Sequence, residues 1–233
     1  MTGMSLAQVR SLREAGLKTG TAIVLQAPQI LELVQTTIDK QDLEQVDVLI
    51  RVMAGFDPDT AEHLEAVGTM SMLLAHRVGL PLTTVATCLL AGRVHDIGKL
   101  AISRTILLKP DRPTKDEWEE LKMHPTYGAS TLAGLPRLRH LAPIVLAHHE
   151  RVDGRGYPHA LTADEIPIEA QIVAIADAFC AMTVPRPYCE TRMPHDALNE
   201  LQRCAGSQFD ADLVGAFAAM FREPLLTPVR EAD

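Results

Sequence analysis

Nine histidines are spread along this chain, and five of them fall into a series with two aspartates: His63, His95-Asp96, His124, His148-His149 and Asp177. Successive groups stand 32, 29, 24 and 28 residues apart, roughly one helix plus its connection. If each helix supplies one group, imidazoles and carboxylates converge on one centre, which is how helical bundles assemble metal sites. Mixed imidazole and carboxylate donors suit iron, manganese or zinc, and the absence of thiolate from the series argues against structural zinc. A single histidine-aspartate pair carries little weight. The strength of the signal is the whole series, which ends in HHERVDGRGYP (148–158), two adjacent histidines leading straight into a glycine-rich turn. His76, His140, His159 and His195 lie outside the series and read as ordinary surface or core residues.

Such a centre needs a scaffold, and the composition says which kind. The chain has 233 residues, 47% of them hydrophobic but only 4% aromatic. A core of that size built from Leu, Ala, Val, Ile and Met favours helices over sheets, so an all-α fold is expected. Helical spacing recurs along the chain. Pro28 is expected in the first turn of a helix carrying Ile30, Leu31, Leu33 and Val34, and a further run covers about 43–53. Asp57-Pro58-Asp59-Thr60 reads as a helix start, with the helix running to about Val78 and stopping at Gly79 and Pro81. Thr114 and Glu117 fit a capping box before Trp118. Later helices are expected near 138–151, 166–183, 193–204 and 210–222. The net charge of −8 excludes a general electrostatic grip on nucleic acid polymers or anionic membrane. No apolar run approaches the roughly 18 residues of a membrane span. Cys88, Cys180, Cys189 and Cys204 form no CxxC pair, and no secretory leader is evident, so the cytoplasm is the expected location.

His95-Asp96-Ile97-Gly98-Lys99, Lys122-Met123-His124-Pro125, HHERVDGRGYP, Ile175-Ala176-Asp177-Ala178-Phe179 and Arg186-Pro187-Tyr188 occur in one order. Together they resemble the HD-GYP family of cyclic di-GMP phosphodiesterases, over a stretch from about Asp57 to Phe221. The resemblance implies an HD-domain helical bundle, here with an N-terminal helical extension. It also implies two or three divalent metal ions, iron or manganese, and hydrolysis of cyclic di-GMP to linear pGpG, with GMP open as a further product. On this reading residues 51–225 form the metal-dependent phosphohydrolase domain and 226–233 a tail. Residues 1–50 form a helical segment whose role is open between packing on the bundle, mediating a homodimer, and surviving from a longer regulatory region.

The residue chemistry can be set beside that expectation. Asp96 has two carboxylate oxygens and can bridge two ions, with His95, Asp177 and His63 completing one set and His124, His148 and His149 the other. Two ions sharing a water can lower its pKa and direct hydroxide at phosphorus, so no protein nucleophile is required. Adjacent helical residues point about 100° apart, so His148 and His149 can serve one ion only near a helix end. Lys99, four residues after His95 and expected on the same helical face, would neutralise a phosphate oxygen. Gly156, Tyr157 and Pro158 offer close backbone approach, a ring face with a hydroxyl, and a stiff exit. By resemblance this loop shapes the site and meets substrate or signalling partners, while Arg186 and Tyr188 hold the substrate's phosphate and guanine. Asp59, four residues before His63, is open between a third-metal ligand and a helix cap. Cys180 stands where the family commonly has Asp, Val184-Pro185 where it has a polar pair, and Ala66 where it has Arg. These departures raise a second expectation, a weakly catalytic module that acts as a cyclic di-GMP receptor or protein-interaction domain.

Overall fold

In the computed structural model, residues 21–184 and 192–222 are described. Among them every regular element is helical, joined by turns and two isolated β-bridges. The α-helices, numbered here in chain order, are α1 (Thr21–Gln35), α2 (Lys40–Phe56), α3 (Pro58–Arg77), α4 (Leu82–Val94), α5 (Arg104–Leu107), α6 (Lys115–Leu121), α7 (His124–Ala133), α8 (Ala142–Ala147), α9 (Ile168–Thr183), α10 (Pro194–Arg203) and α11 (Ala211–Met220). A 3-10 turn over Ile97–Ala101 follows α4.

Helix α4 organises the bundle. Val85, Ala86 and every residue from Cys88 to Val94 are buried, and a helix that is covered on all sides is a central one. It packs along α3, with α2 and α9 against it as well. Gly68 and Gly92 set the α3–α4 crossing: a Cβ on Gly92 would stand 2.7 Å from the Gly68 Cα, so the two backbones nearly touch. The C-terminal end of α4 therefore lies inside the core, and His95-Asp96 follows it directly.

Helix α3 begins where its local chemistry dictates. Asp57 accepts hydrogen bonds from the Thr60 amide (3.4 Å) and hydroxyl (2.7 Å), Pro58 occupies the first turn, and Gly79 with φ +75° stops the helix. Asp57, not Asp59, is thus the cap. One face of α3 buries Leu64, Val67, Met70 and Leu74, each worth about 1.5–3 kcal/mol relative to exposure. The capping box of Thr114 and Glu117 opens α6 with both reciprocal hydrogen bonds formed.

Several expectations shift. Helix α1 starts at Thr21, so Pro28 sits inside it rather than in its first turn. Burial of Ala27, Ile30, Leu31 and Val34 on one face outweighs the lost backbone hydrogen bond. The segment expected as a helix over 138–151 is a 3-10 turn at Arg139–Leu141 followed by the short α8. Lys99 does not share an α-helical face with His95, because α4 ends at Val94 and the chain tightens into 3-10 geometry. Helix α2 runs unbroken from Lys40 to Phe56 and buries Val46 and Met53. The first 20 residues of the expected N-terminal segment, the tail 226–233, and Arg186 and Tyr188 lie outside the described residues. Among the described residues no helix is long and apolar enough to cross a membrane.

Candidate metal centre and its loop

Helix ends position most of the cluster. His95 caps α4, His124 opens α7, and His148 caps α8 with His149 next to it; His63 and Asp177 project from within α3 and α9. The last carbonyls of a helix lack intrahelical donors, and three of the imidazoles use such carbonyls three residues back. His95 Nδ1 lies 2.8 Å from Gly92 O, His124 Nδ1 2.7 Å from Leu121 O and His148 Nδ1 2.6 Å from Val145 O. Each Nδ1–H donates to its carbonyl, so each Nε2 presents a bare lone pair, the tautomer a metal-ligating histidine needs.

These imidazoles converge with His63 and the two aspartates. His63 Nε2 is 2.8 Å from Asp177 Oδ1, and His95 Nε2 is 3.7 Å from the same oxygen. Asp96 directs Oδ2 to His95 Nε2 at 3.5 Å and Oδ1 to His124 Nε2 at 3.1 Å. Three overlapping groups result, His63–His95–Asp177, His95–Asp96–His148 and His124–His148–His149, with the donor atoms of each group within 4.8 Å of one another. Asp96, in the middle group, directs one oxygen toward His95 and the other toward His124. Asp59 is exposed in the first turn of α3 and belongs to none of them.

The donor arrangement fits divalent cations. His95 Nε2 is buried without a hydrogen-bond partner. His124 Nε2 and His148 Nε2 face each other at 3.3 Å, and with both Nδ1 atoms carrying the donated proton, two neutral rings turn their lone pairs toward one another. A cation resolves that repulsion. The local charge has the right sign, since Asp96 and Asp177 exceed Lys99, whose Nζ lies 2.5 Å from Asp96 Oδ2.

The ionisation states follow from burial set against neighbours. Burial pushes the Asp96 carboxyl up, but Lys99, His95 and His124 hold it well below the usual range. Burial likewise opposes ionisation of Asp177, and His63 and His95 overcome it. His95 is desolvated, yet Asp96 and Asp177 raise its pKa. Burial first, then the neighbouring imidazoles, drives His148 well below its ordinary value, and burial brings His149 down to about 4. Near neutral pH both are free bases, ready to bind a cation. Tyr157 is raised by burial and then by the two aspartates, so it stays a phenol.

The HHE and GYP segments prove to be one folded unit. Glu150 is 4% exposed, and its carboxylate accepts the amides of His159 (2.6 Å) and Leu161 (3.0 Å). Tyr157 N donates to His149 O at 3.2 Å, and the His149 and Tyr157 rings lie 4.9 Å apart at 32°. At Gly156 a Cβ would stand 2.5 Å from Arg151 N and 2.7 Å from Glu150 C, so the loop crosses directly over the residues after His149. The Tyr157–Pro158 peptide is cis. Arg151 grips Asp153 at 3.0 and 2.7 Å and reaches Gln208 at 3.2 Å. Between this loop, Asp177 on α9 and Phe209 lies a cavity of about 350 Å³. No role for Glu150 was read from the sequence: the glutamate was visible in the motif, but its burial and its two amide partners were not. Cys180 and Ala66 are both buried.

A helical bundle that closes on paired His/Asp groups, with one aspartate shared between them, defines an HD-type fold and site. The sequence pattern described as the HD domain matches residues 47–213, and the chain belongs to that family, in its HD-GYP form. It is 38% identical over 192 residues to a cyclic di-GMP phosphodiesterase of Thermotoga maritima, covering 82% of this chain and 52% of that one. It is 35% identical over 146 residues to the 3'3'-cGAMP-specific phosphodiesterase 3 of Vibrio cholerae, covering 63% of this chain and 32% of that one. The chain thus spans about half the length of the first relative and a third of the second. Among solved structures it is similar to Bd1817, an HDG"Y"P protein of Bdellovibrio bacteriovorus, with TM-score 0.61 and 16% identity over 95% of this chain and 74% of that one, a likeness of fold.

Proposed function

We propose that this chain is a metal-dependent phosphodiesterase that opens cyclic di-GMP to linear pGpG, with cleavage to GMP as a second hydrolysis open to the same centre. Both relatives are named for hydrolysis of a cyclic dinucleotide, and the observation that carries the reading is Asp96, whose two oxygens face two different histidine groups. On this proposal His63, His95 and Asp177 hold one divalent ion, His124, His148 and His149 a second, and Asp96 joins them; iron or manganese suits this donor set. Such ions supply Lewis acidity to a phosphate oxygen and a lowered pKa to water.

The chain's own residues do the rest. Asp96 and Asp177, held ionised, keep the centre anionic enough to retain cations. Lys99 offsets part of that charge and is the ammonium nearest the shared carboxylate, suited to a phosphate oxygen once cations have engaged Asp96. Tyr157, as a neutral phenol beside His149, offers a ring face and a donor to a purine or phosphate in the cavity. Arg186 and Tyr188 are proposed as further substrate contacts, Asp59 as a contributor to a third ion, and 51–225 as the catalytic unit in the cytoplasm.

The decisive test is Asp96→Ala, assayed for metal content, helical circular dichroism and chromatographic conversion of cyclic di-GMP after anaerobic loading with iron or manganese. The expected result is loss of all detectable turnover with the helical spectrum intact. Turnover retained near the wild-type rate would remove the mechanism. Cyclic GMP-AMP belongs in the same assay, because a preference for it would move the substrate assignment and leave the centre unchanged.

A further inference from the structure

Two residues before His95, Arg93 is 7% exposed and held by carboxylates of two other helices. Its Nε donates to Glu65 Oε2 at 3.0 Å, and Nη2 donates to Glu65 Oε1 at 2.7 Å and Asp47 Oδ1 at 2.8 Å. Burial works against the guanidinium charge, and Glu65 with Asp47 raises its pKa regardless. This is the forked, charge-assisted geometry in which arginine differs most from lysine.

The placement gives the network its meaning. Glu65 stands two residues after His63 on α3, and Arg93 two residues before His95 on α4. Residues two apart on a helix point about 200° away from each other, so the ion pair and the two imidazoles bracket the same helix crossing from opposite sides. At that crossing Gly68 and Gly92 bring the backbones nearly into contact, and the Gly92 carbonyl accepts the His95 Nδ1–H. The His63 and His95 rings, carried by these same two helices, lie 5.5 Å apart. Asp47 adds the third helix: it lies on α2, which is also tied down near its start by Arg137 through Asp39 and Asp42.

We propose that the Asp47–Arg93–Glu65 network is a positioning device, which sets the α3–α4 spacing for the His63–His95–Asp177 ion group and ties that group to the position of α2. Arg93 touches no reacting atom and acts through His95. The proposal rests on the reading that both groups bind cations. It makes α2 a mechanical input to the His63–His95–Asp177 group, because a displacement of α2 pulls on the residue that orients one of that group's ligands.

The test is equilibrium manganese binding, followed by the electron paramagnetic resonance signal of free Mn²⁺, on wild type, Arg93→Met and Asp47→Asn. His63→Ala and His124→Ala identify which binding class belongs to which group. Arg93→Met is expected to weaken the His63–His95–Asp177 class about 10- to 100-fold, the usual effect of removing a residue that orients a ligand, and to leave the other class within a factor of about two. Asp47→Asn, at a half-exposed carboxylate, is expected to give a smaller loss in the same class, and Arg93→Lys to recover part of the loss in Arg93→Met. Unchanged affinity in Arg93→Met, or equal weakening of both classes alongside a lowered melting temperature, would overturn the proposal and leave the metal centre standing. Should Arg93→Met fail to fold, Asp47→Asn decides alone by the same criterion. A wild-type chain that takes up no manganese would instead overturn the metal reading, and this proposal with it.

Discussion

Replacing Gly98 by alanine probes the centre without removing any ligand. Gly98 lies in the 3-10 turn after Asp96, packed on the first turn of α7. A Cβ built on it would run into the His124 carbonyl oxygen and stand 2.5 Å from Gly128 N. Ordinary contact begins near 3.5 Å, so the turn and α7 must part by roughly 1 to 1.5 Å, and both obstacles are backbone that cannot rotate aside. The turn carries Asp96 and α7 carries His124, whose Nε2 now sits 3.1 Å from Asp96 Oδ1. Metal–ligand distances tolerate only about 0.2 Å, so the displacement is several times what the shared carboxylate can absorb. Overpacking of this kind costs about 1–3 kcal/mol, or roughly 2–12 °C in melting temperature for a chain of this size. The assays are calorimetry of the metal-free chain and metal uptake by the loaded one. The expected outcome is a modest fall in melting temperature with loss of the ion class that includes His124. A Gly98→Ala chain with wild-type metal content and turnover would refute the packing argument.

Glu150→Ala removes both acceptors that hold the loop backbone, at about 1.5–3 kcal/mol for each charge-assisted bond. It should raise KM for the cyclic dinucleotide and expose the 153–161 loop to protease while leaving metal content intact; wild-type KM and protease resistance would count against the loop assignment. In the metal-free chain, unfolding midpoints in urea should fall as pH drops from 7 toward 4. His149, with its folded pKa at about 4, and His148, held well below 6.5, bind fewer protons folded than unfolded in that window, so their contribution is present above 6.5 and lost on acidification. His95 has the opposite sign, since its raised pKa adds stability below 6.5. Two histidines outweigh one, with His149 alone worth at most about 3 kcal/mol, and depressed Asp96 and Asp177 extend the loss below pH 4. A midpoint that is flat or rises on acidification would contradict the assigned charge states.

What could be read from the sequence depended on whether the information was local. The histidine and aspartate series was legible because every member except His63 sits in a short, distinctive string, and the helix beginning at Asp57 and the capping box at Thr114 because their signals lie within four residues. Pro28 was misplaced because burial of Ala27, Ile30, Leu31 and Val34 overrides a local preference, and that burial depends on partners distant in sequence. The shared face assigned to His95 and Lys99 failed for a related reason: four-residue spacing implies adjacency only in a continuous α-helix, and nothing in Val94–His95–Asp96 announces the change to 3-10 geometry. Arg93 and Glu65, 28 residues apart, look like two ordinary surface charges until the α3–α4 crossing is known.

The placement of the histidines at helix ends ties the sequence to the chemistry. An imidazole in the middle of a helix finds every nearby carbonyl already bonded, and its tautomer is then set by chance neighbours. At a C-terminus the carbonyl three residues back is free, so His95 and His148 lock their Nδ1 protons there and must present Nε2 to the interior; His124 does the same with the end of α6. The cost is the confrontation of His124 and His148 lone pairs at 3.3 Å, next to two carboxylates that burial alone would protonate. A fold optimised only for stability would replace those groups with apolar side chains of similar volume. Their retention at the centre of the core, each oriented by its own backbone, makes sense if the arrangement is completed by cations, and it is why the metal-free chain should be both less stable and sensitive to acid.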